Sequence, residues 1–94
     1  MKLEYLDLGG GQQVAIHVAS RGGNLLVECR EPGPLLARIA ADRMPPRLSP
    51  DSVLRGVVSR DRESVFQLFD ALGGASDEIR VRPEQVCSLL GTLW

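Results

Sequence analysis

The spacing of apolar residues between Ser59 and Gly74 is typical of an amphipathic helix. Apolar positions recur at i, i+1, i+3, i+4 and i+7, which lie on one side of a helix with about 3.6 residues per turn. They are Val65, Phe66, Leu68, Phe69 and Leu72. Ser59 or Asp61 would cap the first turn, and Gly73 would end the helix in the left-handed conformation. We therefore predict a central helix over 59–74 that buries both Phe rings and around which the rest of the chain packs.

Three shorter runs near the start of the chain alternate between apolar and polar residues. The runs are Lys2–Leu8, Gln13–Ala19 and Leu25–Arg30, and glycine-rich segments separate them. Alternation with a period of two is typical of strands that bury one face. The pattern therefore predicts an N-terminal, three-stranded antiparallel meander.

The loop Arg21–Asn24 suggests a register for the second and third of these strands. If they pair directly across that loop, Val18 lies opposite Val27, and His17 lies opposite Glu28. The two valines then share the buried face, and His17 shares the solvent face with Glu28. The register of the first strand stays open, because its apolar residues fall on both faces.

Prolines mark a change from strands to helices after the meander. Pro32–Pro34 ends the third strand, since proline cannot donate a hydrogen bond to a sheet. Helical spacing then predicts a helix over Leu35–Met44. Pro45–Pro46 would stop this helix, because proline disfavours a helical conformation in the residue before it.

A second helix is predicted to begin at Ser49–Pro50, which suit the N-cap and the first helical position. Gly56 and the β-branched valines lower the helix propensity of residues 50–58. This segment is therefore predicted to be either a full helix or one short turn that leads into 59–74.

The pattern returns to a period of two at Glu78–Arg82, which predicts one late strand, and Pro83–Leu93 shows the spacing of a last helix. We therefore predict an α+β fold in which three to four helices pack on one face of a small antiparallel sheet. The sheet would contain the N-terminal meander and the late strand near 78–82. Residues 1–94 are too few for more than a single domain.

Composition and charge narrow the classes of function. Twelve acidic and eleven basic residues give a net charge of -1, which counts against nucleic acid or an anionic membrane as the partner. All basic residues except Lys2 are Arg, which suggests a GC-rich genome, and we expect a bacterial protein. The N-terminal residues lack the apolar core of a signal peptide, so we expect a cytoplasmic protein with no membrane association.

Few residues in the chain could carry chemistry. His17 is the only histidine, and Cys29 and Cys87 lie far apart in sequence, where buried thiols are the expected state. Gly9–Gly11 lacks the Lys and the hydroxyl residue of a phosphate-binding loop and is predicted to form a hairpin turn. We expect no catalytic residue, no metal site and no cofactor.

A DNA-binding regulator is the first alternative function. The predicted helix pair at 49–72 has the order of a helix-turn-helix, and Arg55, Arg60 and Arg62 lie near its junction. Acidic residues nearby offset this charge, and the outer side of the second helix is mixed in character. A small enzyme of unknown reaction is the second alternative.

Elimination leaves a protein-interaction module as the first hypothesis. It would be an adaptor, a chaperone or a regulatory subunit without catalytic activity, and it would bind another protein or form a homodimer. The predicted partner-binding residues are Leu93 and Trp94, which are bulky and apolar, and Arg80 and Arg82, which lie on the late strand.

Overall fold

β-Strands make up about half of the structure, a computed structural model that describes residues 1–43, 48–70 and 72–93. The strands are β1 (Lys2–Gly9), β2 (Gln12–Arg21), β3 (Asn24–Cys29), β4 (Val53–Val58), β5 (Ser64–Phe69) and β6 (Ala75–Val81). The α-helices of the described ranges are α1 (Pro32–Ile39) and α2 (Pro83–Leu90). Short 3-10 turns follow them at Ala41–Arg43 and Gly91–Leu93. Within these ranges, neither helix is long and apolar enough to cross a membrane.

The six strands form one antiparallel sheet in the order β1-β2-β3-β4-β5-β6, so each strand pairs with its neighbours in sequence. The chain is arranged as two successive sets of three strands and a helix. The first set is β1–β3 with α1, and the second is β4–β6 with α2. The two sets meet at the middle of the sheet, where β3 pairs with β4.

The prediction of three to four helices on a small sheet is wrong, because the segments predicted as the second and central helices are the strands β4 and β5. Along β5, Phe66 and Leu68 are buried in the core, whereas Val65 and Phe69 lie on the other face and are half-buried. Aromatic and β-branched residues favour strands. Pairing with β4 and β6 supplies the backbone hydrogen bonds that a helix would otherwise make internally. Leu72, predicted to be buried, is almost fully exposed in the β5–β6 turn.

The predicted register of the second and third strands is confirmed. Val18 pairs with Val27, and His17 pairs with Glu28. The structure also settles the register of β1, in which Leu6 faces the core.

The remaining elements differ from the prediction mainly in their boundaries. Helix α1 ends at Ile39, and the predicted helix end at Met44 with its stop at Pro45–Pro46 lies outside the described residues. Strand β6 begins at Ala75, three residues before the predicted start of the late strand at Glu78. The last predicted helix forms as α2 followed by a 3-10 turn.

The core lies between one face of the sheet, which we call the inner face, and the two helices. Its buried side chains come from every strand and from both helices. From the sheet they include Leu6, Ile16, Leu25, Val27, Leu54, Val58, Phe66, Leu68, Ile79 and Val81, and from the helices Leu35, Leu36, Ile39, Val86 and Leu90. The opposite face, which we call the outer face, carries the alternate residues of each strand.

Gly56 allows the sheet to pack closely at its centre. It lies opposite Phe66 across β4 and β5. A Cβ atom at Gly56 would overlap the Phe66 ring and would lie 2.7 Å from the carbonyl oxygen of Val65. The glycine that weakens the predicted helix is therefore required by the packing of a strand.

Candidate docking face of the sheet

The outer face carries apolar side chains that are exposed or half-buried, because both α-helices contribute to the core on the other face. They are Leu3, Tyr5, Leu26, Val53, Val57, Val65 and Phe69. Tyr5 is 64% exposed and Val57 is 44% exposed. An apolar surface of this kind on a small domain is typical of a binding site for another molecule.

A shallow groove lies at the middle of this face, across β3, β4 and β5. Its volume is about 460 Å³, and its lining is largely apolar. Apart from Val27, which is buried in the core, the apolar side chains that line it are Met1, Leu26, Val57, Val65 and Phe69, and we call these five residues the apolar groove. Val57 pairs with Leu26 on one side and with Val65 on the other, so three of these side chains form one row across three strands.

A polar row crosses the outer face beside the apolar groove. Successive cross-strand partners from β2 to β6 are His17, Glu28, Arg55, Gln67 and Glu78. At its centre, Arg55 Nε donates a hydrogen bond of 2.9 Å to Glu28 Oε2. The two residues lie on β3 and β4, on either side of the line where the two sets of strands meet.

The Glu28–Arg55 ion pair also contacts its surroundings. Arg30 Nε lies 3.7 Å from Glu28 Oε1, and the guanidinium carbon of Arg55 lies 5.3 Å from the ring centre of Phe69. The Arg55 side chain is 59% exposed. Exposed ion pairs and cation–π contacts each stabilise a protein by about 1 kcal/mol or less. The main effect of this arrangement is therefore to fix one negative and one positive charge beside the apolar groove.

Two of the predicted partner-binding residues lie at the β6 edge of the sheet. Arg80 pairs with Val65 across β5 and β6, and its Nη1 lies 3.8 Å from Glu63 Oε1. Arg82 is the N-cap residue of α2, and its backbone N–H donates a hydrogen bond of 3.2 Å to Gln85 Oε1. Arg80 therefore has an acidic partner, and Arg82 is held through its backbone at the start of α2.

The structure brings Arg80 and Arg82 together and places Leu93 elsewhere. The two arginines line a cleft of about 290 Å³ with Glu84, and Leu93 does not contribute to it. Leu93 is half-buried and packs against the core. Trp94 lies outside the described residues.

Sequence reasoning missed the apolar groove, although one signal was present. Leu25–Val27, Val57–Val58 and Val65–Phe66 are uninterrupted apolar runs. In a strand such runs place apolar side chains on both faces, as in sheets that are covered on both sides. The signal could be interpreted only once residues 53–69 were known to be strands.

The cysteines and the histidine do not form a nucleophilic site. Cys29 is fully buried, and burial raises the pKa of its thiol. His17 lies on the opposite face of the sheet from Cys29, as the predicted register requires. Cys87 Sγ lies 3.8 Å from the carbonyl oxygen of Ser59. Within residues 1–43, 48–70 and 72–93, no three His, Cys, Asp or Glu residues are arranged to hold a metal ion.

The hydrogen bonds of the β4–β5 turn order the chain between the two strands. Ser59 Oγ donates a hydrogen bond of 2.8 Å to Asp61 Oδ1, and this bond lowers the pKa of Asp61. The backbone N–H of Ser59 donates to Ser64 Oγ at 3.3 Å. Ser59 and Ser64 are both buried, and these contacts satisfy their polar groups.

Two motifs from the sequence take structural roles. Gly9–Gly11 joins β1 to β2 with positive φ angles, which confirms the predicted hairpin turn. Residues 53–69 form the β4–β5 hairpin, so the helix pair that would dock into DNA does not form. The prediction of a helix pair at 49–72 is therefore wrong.

Comparison with known proteins gives no match. The chain is similar to no protein-family model, no curated protein and no solved structure.

Proposed function

We propose that this protein is a small protein-binding module without catalytic activity, of the adaptor, chaperone or regulatory-subunit type. Its binding surface is the outer face of the sheet, and another polypeptide covers the apolar groove. The observation that supports the proposal is the position of the groove at the centre of a face that the two helices leave open.

The composition of the outer face agrees with that of protein interfaces. Interfaces have an apolar centre, a polar rim and an enrichment of aromatic residues and Arg. Here the apolar groove is bordered by the Glu28–Arg55 pair, and Phe69 lies beneath the Arg55 guanidinium. Burial of apolar surface stabilises a complex by roughly 25 cal/mol per Å² before the costs of association are subtracted.

We also propose a cytoplasmic location. Cys29 and Cys87 are both free thiols. Small domains with unpaired cysteines are typical of reducing compartments, whereas secreted domains of this size usually carry disulfides.

The test compares two variants that add the same negative charge. Val57→Glu places a carboxylate in the apolar groove, and Ala37→Glu places one on the exposed side of α1. The immobilised wild-type chain should retain a protein from an extract of its native cells. Val57→Glu should abolish this retention and Ala37→Glu should preserve it, because an unpaired charge at the centre of an interface costs several kcal/mol.

Circular dichroism and urea unfolding of both variants would show that each remains folded. Retention by Val57→Glu equal to that of the wild type would contradict the proposal. The proposal would also be contradicted if the wild-type chain retained no protein and did not self-associate.

A further inference from the structure

We propose that the outer face binds a second copy of the same chain, so that two sheets stack face to face around a two-fold axis. The inference rests on the proposed function, because it names the polypeptide that covers the apolar groove. Most soluble homo-oligomers are two-fold dimers in which one surface patch meets itself. Such a patch must be self-complementary, and the outer face meets that condition in charge, in apolar contacts and in area.

The charges are complementary about one particular axis. Glu28 and Arg55 are direct cross-strand partners on β3 and β4, the two central strands. A two-fold axis that runs parallel to the strands and between β3 and β4 places β3 of each copy over β4 of the other. Glu28 then faces Arg55 of the second copy, and Arg55 faces Glu28 of that copy.

The same axis brings apolar side chains together. The row beside the polar row contains Ala19, Leu26, Val57 and Val65 as successive cross-strand partners. Across the axis, Leu26 faces Val57 of the second copy, and Ala19 faces Val65 of that copy. The apolar grooves of the two copies therefore overlap at Leu26 and Val57, and Val65 is covered by Ala19 of the second copy.

A two-fold axis perpendicular to the strands is disfavoured. It would place β3 over β3 of the second copy, so that Glu28 meets Glu28 and Arg55 meets Arg55 when the polar rows coincide. Like charges that face each other in an interface oppose association. The charge pattern therefore selects the axis parallel to the strands, with the small rotation that is usual between stacked sheets.

The area of the face is close to what a stable dimer requires. Six strands about 4.8 Å apart and about seven residues long form a sheet of roughly 24 by 23 Å, or about 550 Å² in projection. The relief of the side chains raises the accessible area above the projected area. A standard interface buries about 800 Å² on each partner, so stacking would need the whole outer face.

The experiment measures mass in solution by sedimentation equilibrium at about 100 μM chain, a concentration above the dissociation constants of most interfaces of standard size. The wild-type protein should have twice the chain mass of 10.2 kDa. Val57→Glu should weaken self-association by at least about tenfold, and Ala37→Glu should leave it unchanged.

Two charge reversals test the proposed pairing directly. Glu28→Arg gives a chain with arginine at both positions, and Arg55→Glu gives a chain with glutamate at both. Each variant alone should be monomeric, because like charges would face each other across the axis. An equimolar mixture should form a heterodimer, in which every facing pair is of opposite charge.

Thermal unfolding of each reversed variant serves as the folding control. If either fails to fold, the Val57→Glu and Ala37→Glu pair still decides the question. A wild-type monomer at about 100 μM would overturn the inference, and so would a dimer that Val57→Glu leaves intact. If the wild-type protein is a monomer that retains an extract protein, and Val57→Glu abolishes this retention, the dimer inference is overturned and the proposed function stands. A monomer that retains nothing would overturn the proposed function as well.

Discussion

Gly56 shows how the absence of one side chain makes room for a neighbouring ring in the core. The Phe66 ring occupies the space that a Cβ atom would need, and the carbonyl oxygen of Val65 limits any shift of the backbone. Because β4 lies in the middle of the sheet, neither neighbour can move without disturbing its own partners. The residue therefore couples the core to the floor of the apolar groove.

We predict that Gly56→Ala destabilises the protein by about 1–3 kcal/mol, the usual cost of overpacking a core. Gly91→Ala is the matched control, since it adds the same methyl group. Nothing lies within 4 Å of a Cβ atom at Gly91, and its φ of -58° is ordinary for alanine. The control should stabilise the protein by about 0.4–1 kcal/mol, because it restricts the unfolded chain. Urea unfolding measures both changes, and equal effects of the two variants would refute this role for Gly56.

Strand β5 shows why an element can be misassigned although its apolar residues are correctly identified. The spacing of a short run such as Val65–Phe69 fits two structures. As a helix the run would place its apolar residues on one side, and as a strand it places them on both faces. The choice between them depends on β4 and β6, which supply the backbone partners. Such non-local pairing leaves no trace in the local spacing.

Truncations along β5 should distinguish its two faces. Leu68 is 1% exposed on the inner face, so Leu68→Ala should cost about 2–5 kcal/mol. Phe69 lies half-buried on the outer face, and Phe69→Ala should cost distinctly less in the monomer. Both residues would cost the same large amount if the segment were the predicted central helix. Urea unfolding at chain concentrations too low for dimerisation measures both free-energy costs, with Gln67→Ala as an exposed control.

The N-terminal hairpins could be predicted because their signals are local. Alternation and the loop Arg21–Asn24 determine the pairing of Val18 with Val27 without reference to the rest of the chain. The candidate site could not be predicted in the same way. Leu26, Val57 and Val65 lie on three different strands, and two of those strands were expected to be helices.

At the scale of the whole molecule, the sheet has three strands on each side of its centre. Glu28 on β3 and Arg55 on β4 lie on either side of that centre, as self-pairing requires. A domain of this size buries only about 60–65% of the surface of its unfolded chain, so a second sheet would add substantially to its burial. The pairing of β3 with β4 therefore joins the two halves of the sheet and also carries the two charges on which the proposed dimer depends.

The meander order also determines how the chain reaches its native state. Of the five strand pairings among the described residues, four close over short connections, and β3 with β4 spans a long one, residues 30–52. Entropy of loop closure grows with the length of the connection, so we expect the two halves to form early and to join last. In stopped-flow refolding, Leu6→Ala should then slow folding by a larger fraction of its destabilisation than Leu54→Ala at the β3–β4 junction, whose contacts form last. The reverse order would contradict this sequence of events. Before β3 pairs with β4, both strands present unpaired backbone groups. We expect chains in this partly folded state to be the species most prone to aggregate.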